Sequence, residues 1–221
     1  MCFKKAVFGR KLFITTHFEL SAHLTNAWDL QPDLCPENLV VIVQRETKFR
    51  TILNAEKIKE YFRQNGFVNT QLVVLERLSI REQLSVIQCA SVFIAVQGAG
   101  MSWFMFLPKH AVLAEITWYR WPSRFIDRAR YARPDIETHL LYCDFTISNA
   151  AYAVFTAKYF GYNRTITDEV REQVIEKSKQ QYARDYYPLG VPRTGIWKLA
   201  DCCCDIALFQ GLLRSLQDKL S

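Results

Sequence analysis

Residues 91–108, SVFIAVQGAGMSWFMFLP, decide how the chain is read. Residues 91–96 form a short apolar run rich in β-formers, the pattern of a strand buried on both faces. Polar Gln97 and the pair Gly98 and Gly100 interrupt that run, and oily residues resume at Met101. A strand that breaks at glycines and re-enters as a helix marks the carboxyl edge of an open parallel sheet, where ligands sit. Gly98 and Gly100 leave no Cβ between the backbone and a bound group, and a helix beginning near Ala99 turns its first amides outward, toward an anion. The alternative is a tight strand-to-helix turn that needs small residues and binds nothing. The stretch is not the dinucleotide fingerprint, since Trp103 and Phe104 stand where a third small residue is required, and no Gly-Lys-Ser/Thr follows to make a P-loop.

Outward from this corner the chain alternates strands and helices. LVVIVQ (39–44), QLVVL (71–75), SVFIAV (91–96), AVLAEI (111–116) and ETHLLYC (137–143) read as five strands. NAEKIKEYFRQNG (54–66) places Ile58, Tyr61 and Phe62 on one helical face, with Gly66 as a stop. Ser79 and Glu82 form a capping box that opens a helix over 79–90, with Ile80, Leu84 and Ile87 expected inward. Apolar strands separated by helical segments specify an α/β fold, a Rossmann-like parallel sheet with helices on both faces. A leading helix is expected over 17–30, a helix from the N-cap Thr167, and a closing helix over 205–220 that packs back on the body. The implied division is an entry segment and leading helix (1–37), a Rossmann-like core (38–146) and a helical extension packing on it (147–221).

The segment QRETKFRTILN (44–54) ends the first strand with Arg45 and carries Arg50 and Asn54 over the same rim as Gln97. Two guanidiniums are planar, permanently charged forks suited to a diphosphate; the bland readings are a surface Arg50 and an N-capping Asn54. Glu115, near the end of an apolar strand, is a third rim candidate, placed to accept ribose hydroxyls. His17, His23 and His139 lack a second ligand four residues on and read as structural, and His110 reads as exposed. The aromatics of WYRWPSRF (118–125) line either a ligand pocket, an acceptor or uracil pocket if the resemblance given below holds, or, more ordinarily, a helix–sheet contact.

The 221 residues are half apolar, enough for a sizeable core, and the net charge of +6 is scattered without a basic run. That balance suits a small anionic ligand better than a nucleic-acid groove. Seven cysteines, at 2, 35, 89, 143, 202, 203 and 204, show no zinc-ligand spacing; the run 202–204 reads as small hydrophobes of a buried strand, or as partners for Cys35 or Cys143 in an oxidising lumen. Asn163-Arg164-Thr165 is a glycosylation sequon that counts only in the secretory pathway. The first twenty residues lack the pattern of a signal peptide and no stretch is long and apolar enough to span a membrane, so a luminal protein would need an upstream segment, and this chain would then be a fragment of a longer one.

Three motifs in order, CFKKAVFG (2–9), VQRETKFRTILN (43–54) and LSIREQLSVIQCASVFIAVQGAGMSWFMFLPKHAVLAEI (78–116), resemble glycosyltransferase family 61. The family pattern is a Cys-Phe-x-x-Ala-Val-x-Gly entry, an Arg-x-x-x-Arg-x-Ile-x-Asn clamp and a His-Gly-Ala-Gly-Leu turn before Leu-Phe-Leu-Pro. The resemblance covers roughly residues 1–145, and GIWKLADCCCDIALFQGLLRSL (195–216) is similar to the terminal strand and helix of an animal branch. It implies the donor-binding C-terminal lobe of a GT-B enzyme that transfers a sugar, N-acetylglucosamine in the animal branches, from a UDP-sugar to a protein or glycan hydroxyl. Inversion, no bound metal, no nucleic-acid partner and an endoplasmic reticulum or Golgi lumen are implied with it, membrane attachment coming only through an upstream anchor. The matched donor-side positions are Arg45, Arg50, Gly98, Ala99 and Gly100 for the diphosphate and Asn54 and Glu115 for the nucleoside. Gln97 departs from the family histidine, keeping a hydrogen-bond donor but losing the group that carries charge or shuttles a proton. The alternative is therefore a weakened or inactive nucleotide-sugar-binding or scaffold protein of the same family. No residue of 31–145 is compellingly placed as the general base.

Overall fold

A computed structural model describes residues 23–24, 26–28, 35–46, 50–117, 123–146 and 201–220. Strands β1 (Val40–Gln44), β2 (Thr70–Val74), β3 (Val92–Val96), β4 (Val112–Thr117) and β5 (Glu137–Tyr142) form one sheet in the order β2-β1-β3-β4-β5. Every pairing is parallel, as five strands joined by helical crossovers require. The order reverses direction between β1 and β3, so their carboxyl ends diverge into a crevice.

Both faces of the sheet are covered, which is why its central strands lack polar alternation. Val40, Ile42, Ile94, Val112, Ala114 and Ile116 pack against α1 (Ala55–Gln64) and α4 (Phe209–Leu220) through Ile58, Phe62, Phe209, Leu212 and Leu216. Val41, Val43, Phe93, Ala95 and Leu113 face α2 (Ile80–Gln88), α3 (Arg124–Ala132) and a 3-10 helix (Ala99–Phe106) through Ile87, Ile126, Ala129, Met101 and Phe104. Each fully buried Ile or Phe contributes about 1.5–3 kcal/mol, so two continuous layers hold the sheet rigid beneath the crevice. Gly66, at φ +97°, ends α1 in a conformation glycine adopts without strain.

The capping box of α2 is present: Ser79 N donates to Glu82 Oε2 at 2.7 Å and Glu82 N to Ser79 Oγ at 3.3 Å. Leu84 and Ile87 are buried, but Ile80, expected inward, is 64% exposed. Side chains of a helix tilt toward its N-terminus, so the first residue overhangs the turn before the helix and covers no core. The closing helix docks as expected, the Phe209 ring edge-on to Phe62 at 5.9 Å. Of the leading helix, residues 23–24 and 26–27 are helical; its remainder, the helix from Thr167 and the sequon lie outside the described residues. No helix among those residues is long and apolar enough to cross a membrane.

Cysteines staple the periphery. Cys143, after β5, is joined to Cys204, and Cys35, ahead of β1, to Cys89 at the end of α2. The run 202–204 is thus split three ways: Cys202 is buried and unpaired, Cys203 is exposed and unpaired, and Cys204 is bridged. Cys202 and Cys203 belong to β7 (Asp201–Cys203), which pairs antiparallel with β6 (Asp144–Thr146).

Candidate active site

The crevice between β1 and β3 gathers residues far apart in sequence. β1 ends at Gln44 and Arg45, β3 at Val96, Gln97 and Gly98, and Arg50 leans across between them. Its Nη1 donates to the Gln97 carbonyl at 3.1 Å. A Cβ on Gly98 would lie 2.7 Å from Arg50 Nη1 and 3.7 Å from Arg45 Nη1, so both guanidiniums come within contact range of one glycine. Alternation along β1 puts Gln44 on the α1 side and Arg45 on the α2 side. Arg45 thus meets the corner from the α2 side, where it lines the pocket.

Two cations at one backbone position repel. Burial, and after it the charge of Arg45, push the Arg50 guanidinium below the ordinary arginine range. Arg45 has partial compensation from Glu76, 3.6 Å from its Nε. Arg50 Nε is buried and has no hydrogen-bond partner among the described residues. Its backbone sits at φ +60°, a left-handed conformation rare outside glycine, asparagine and aspartate. An unpaired donor, a like-charged neighbour and a strained backbone thus coincide at this one residue.

Beside the pair opens a pocket of about 280 Å³, lined by Val43, Arg45, Leu75, Glu76, Gln83, Ala95, Val96, Gly98, Ala99, Gly100 and Trp103. The glycine corner is open: Ala99 is exposed and Gly98 and Gly100 are half-buried. The two glycines differ. Gly98 (φ +158°, ψ −172°) is required by the arginine packed on it, whereas a Cβ on Gly100 would meet nothing within 4 Å. Packing among the described residues therefore does not demand Gly100. The helix after the corner is 3-10, not α: Met101 N returns to Gly98 O at 2.9 Å, tightening the first turn.

Asn54 and Glu115 lie differently from their expected places. Asn54 makes no side-chain cap on α1; its Nδ2 donates to the Cys204 carbonyl at 2.6 Å and its Oδ1 accepts from Cys204 N at 3.0 Å. Each end of the amide is thus engaged with Cys204, and the side chain departs from the N-cap reading. Glu115 is fully buried beneath the rim rather than on it. Its Oε2 accepts from Ser123 Oγ and, at 3.3 Å, from Ile126 N at the start of α3. Burial pushes this carboxyl up, opposed first by Ser123, then by the Ile126 amide and the Gln97 side chain. Its Oε1 makes no hydrogen bond of normal geometry. Gln97 is itself buried, its backbone N–H donating to the Ile116 carbonyl at 2.9 Å; its own carbonyl accepts from Arg50 and its side chain meets Glu115, so the residue in the family-histidine position sits between Arg50 and Glu115.

Sequence reading passed over Arg133. Its side chain, 1% exposed, donates to the carbonyls of Phe104, Met105, Leu107 and Pro108 and pairs with Asp135 at 2.7 Å. It caps the far end of the 3-10 helix that starts at the glycine corner. The signal was thin, an arginine after a helix and two residues before an aspartate. His139 is half-buried beside Glu137 and His110 is exposed at φ +64°. Of WYRWPSRF, residues 118–122 lie outside the described residues, and Phe125 packs against the core.

Residues 6–114 match the family model described as Glycosyltransferase 61. The matched range holds both arginines, Asn54 and the glycine corner, and ends one residue before Glu115. Over 91 residues the chain is 30% identical to the EGF domain-specific O-linked N-acetylglucosamine transferase of Drosophila melanogaster. That similarity covers 41% of this chain and 18% of the relative, so the chain spans under a fifth of that protein.

Proposed function

We propose that this chain is the donor-binding part of a family 61 glycosyltransferase, holding a UDP-sugar by its diphosphate at the β1–β3 crevice. The observation that carries the reading is the convergence of Arg45 and Arg50 on Gly98 beside an open pocket. A diphosphate there relieves the repulsion of two half-buried cations, each charge-assisted contact contributing about 1.5–3 kcal/mol. The pocket's apolar wall of Val43, Leu75 and Trp103 offers flat surface to a base or sugar ring.

In this reading the sugar, N-acetylglucosamine by similarity to the fly enzyme, passes with inversion to a protein or glycan hydroxyl. The diphosphate leaving group is stabilised by the arginines and the corner amides without a metal. The acceptor and the general base belong to parts of a GT-B enzyme facing this lobe. The two disulfides support an oxidising compartment, the endoplasmic reticulum or Golgi lumen. Calorimetric titration with UDP tests the reading: micromolar binding that Arg45→Ala and Arg50→Ala each weaken at least about tenfold is expected, and absence of binding by the folded chain refutes it.

One observation favours a second reading, a binding protein with little turnover. Gln97 presents a neutral amide where a cation or proton carrier would assist departure of the diphosphate. UDP-sugar turnover by the full-length protein, unchanged at background level in both wild type and Gln97→His, would support it; a large gain in the variant would point to an enzyme disabled at this residue.

A further inference from the structure

Arg50 is held in place from outside the parallel sheet. Its left-handed backbone persists only where neighbours fix it, and those neighbours come from the far end of the chain. The next amide, Thr51 N, donates to Asp201 Oδ1 at 2.8 Å. Cys202 N donates to the Thr51 carbonyl at 2.9 Å and Leu53 N to the Cys202 carbonyl at 2.8 Å, a parallel bridge centred on Ile52. Asn54 closes the series with its two bonds to Cys204. On the opposite side Gln44, the residue before Arg45, holds Ile52 by both backbone groups, at 2.8 and 3.0 Å. β7 is in turn anchored through the bond between Cys143 and Cys204.

We infer that β7 is a brace that aims Arg50 at Gly98, with Asp201 and Asn54 as positioning residues of the anion site. The inference rests on the diphosphate reading only for its ligand; the geometry of the brace stands apart from it. The backbone bridge alone would join the two segments. The side chains add a stop at each end: Asp201 pins the amide immediately after the left-handed residue, and Asn54 pins the residue that starts α1. With both ends fixed, the Arg50 stem leaves the loop in one direction, across the sheet to the Gln97 carbonyl 3.1 Å away. A role in stability alone gives no reason for the two side-chain pins to bracket the segment that carries the guanidinium.

The test uses the 221-residue chain with its disulfides intact, UDP as probe, and the Arg50 Nε–H resonance as a ligand-free readout. Asp201→Ala and Asn54→Ala are expected to weaken UDP binding about tenfold, and Asp201→Asn, which keeps an acceptor oxygen, to stay within about twofold. In an Arg50→Ala background neither alanine should weaken binding further, because both act through the missing guanidinium. The Arg50 Nε–H signal should move in both variants to the position of a solvated arginine. Additive losses in the double variants, or an unmoved resonance, overturn the brace. If wild type takes up no UDP the diphosphate reading falls, and the resonance alone decides the brace. Asn54→Ser carries the same measurements should Asp201→Ala fail to fold.

Discussion

Replacing Gly98 or Gly100 by alanine should give opposite balances of stability and affinity. At Gly98 the new methyl would stand 2.7 Å from Arg50 Nη1 and 3.5 Å from its Cζ, against an ordinary contact of 3.4 Å or more. The guanidinium must retreat by about 0.7 Å, enough to stretch its 3.1 Å bond to the Gln97 carbonyl beyond hydrogen-bonding range. The backbone of Gly98 also lies where an alanine is strained, at about 1–3 kcal/mol. A loss of about 2 kcal/mol lowers Tm by about 4–8 °C in a chain of this size. Losing one charge-assisted contact, about 1.5–3 kcal/mol, weakens UDP binding about ten- to a hundredfold. At Gly100 the methyl meets nothing within 4 Å in the free protein. Gly100→Ala should keep or raise stability by about 0.4–1 kcal/mol through the unfolded chain, yet impair binding because the methyl stands in the pocket. Thermal unfolding and UDP calorimetry on both variants decide the matter. Wild-type affinity in Gly98→Ala would refute the arginine packing as the binding determinant, and wild-type affinity in Gly100→Ala would move the ligand out of this pocket.

Burial raises the Glu115 carboxyl, so the folded state binds its proton more tightly than the unfolded state does. Stability from this group is full below the ordinary value of about 4.3 and is lost as pH rises through the folded value; the Tm of Glu115→Gln relative to wild type should therefore climb over that window, and a constant difference would contradict it. Arg133→Met leaves four carbonyls and Asp135 without their partner; urea unfolding should report a loss of about 3–5 kcal/mol. Arg133 also holds the Asp135 carboxyl low, foremost by hydrogen bonding, so wild type should lose stability as pH falls through that lowered value, a dependence the variant lacks. Burial pushes the Cys202 thiol up to about 12, while Cys203 is exposed. Brief iodoacetamide treatment of the native protein at pH 8 should label Cys203 and spare Cys202, as peptide mass spectrometry would show, and equal labelling would place β7 elsewhere.

The parallel sheet was readable because a strand buried on both faces has no choice but to be apolar, and VVIVQ and VFIAV are that signal in pure form. Glycines after a strand and arginines after the neighbouring strand likewise pointed at one rim, since strand order brings the carboxyl ends together. Side-chain commitments were not readable in the same way. Asn54 at the head of a helix is locally an N-cap; only the arrival of Cys204 from 150 residues away redirects its amide. Glu115 near a strand end looks like a rim residue, yet alternation places it over Leu113 and under α3, where Ser123 and Ile126 take its oxygen. Ile80 fits the inward face by spacing, and the direction of its Cβ at the helix start defeats the count. Arg133 shows the general limit: carbonyls at 104, 105, 107 and 108 become its partners only once the chain folds, and no residue type announces a carbonyl acceptor.

The resemblance to family 61 and the buried carboxylate meet at Gln97. A histidine in that place would face Glu115, whose charge would favour imidazolium, and imidazolium would in turn hold Glu115 ionised. The pair would store a proton next to the arginines, available when the diphosphate departs. Gln97 breaks that exchange: a neutral amide hydrogen-bonds the carboxylate but hands over no proton, so burial pushes Glu115 up against hydrogen bonds alone, with no cation at position 97 to hold it ionised. The arginines are indifferent to the change, because Arg50 holds Gln97 by its backbone carbonyl, which any residue supplies. On the proposed reading, substitution at this position acts on leaving-group chemistry while leaving the arginine pair in place. On that argument Gln97→His should alter turnover far more than UDP affinity, and equal changes in both would mean that the side chain at 97 touches the nucleotide itself.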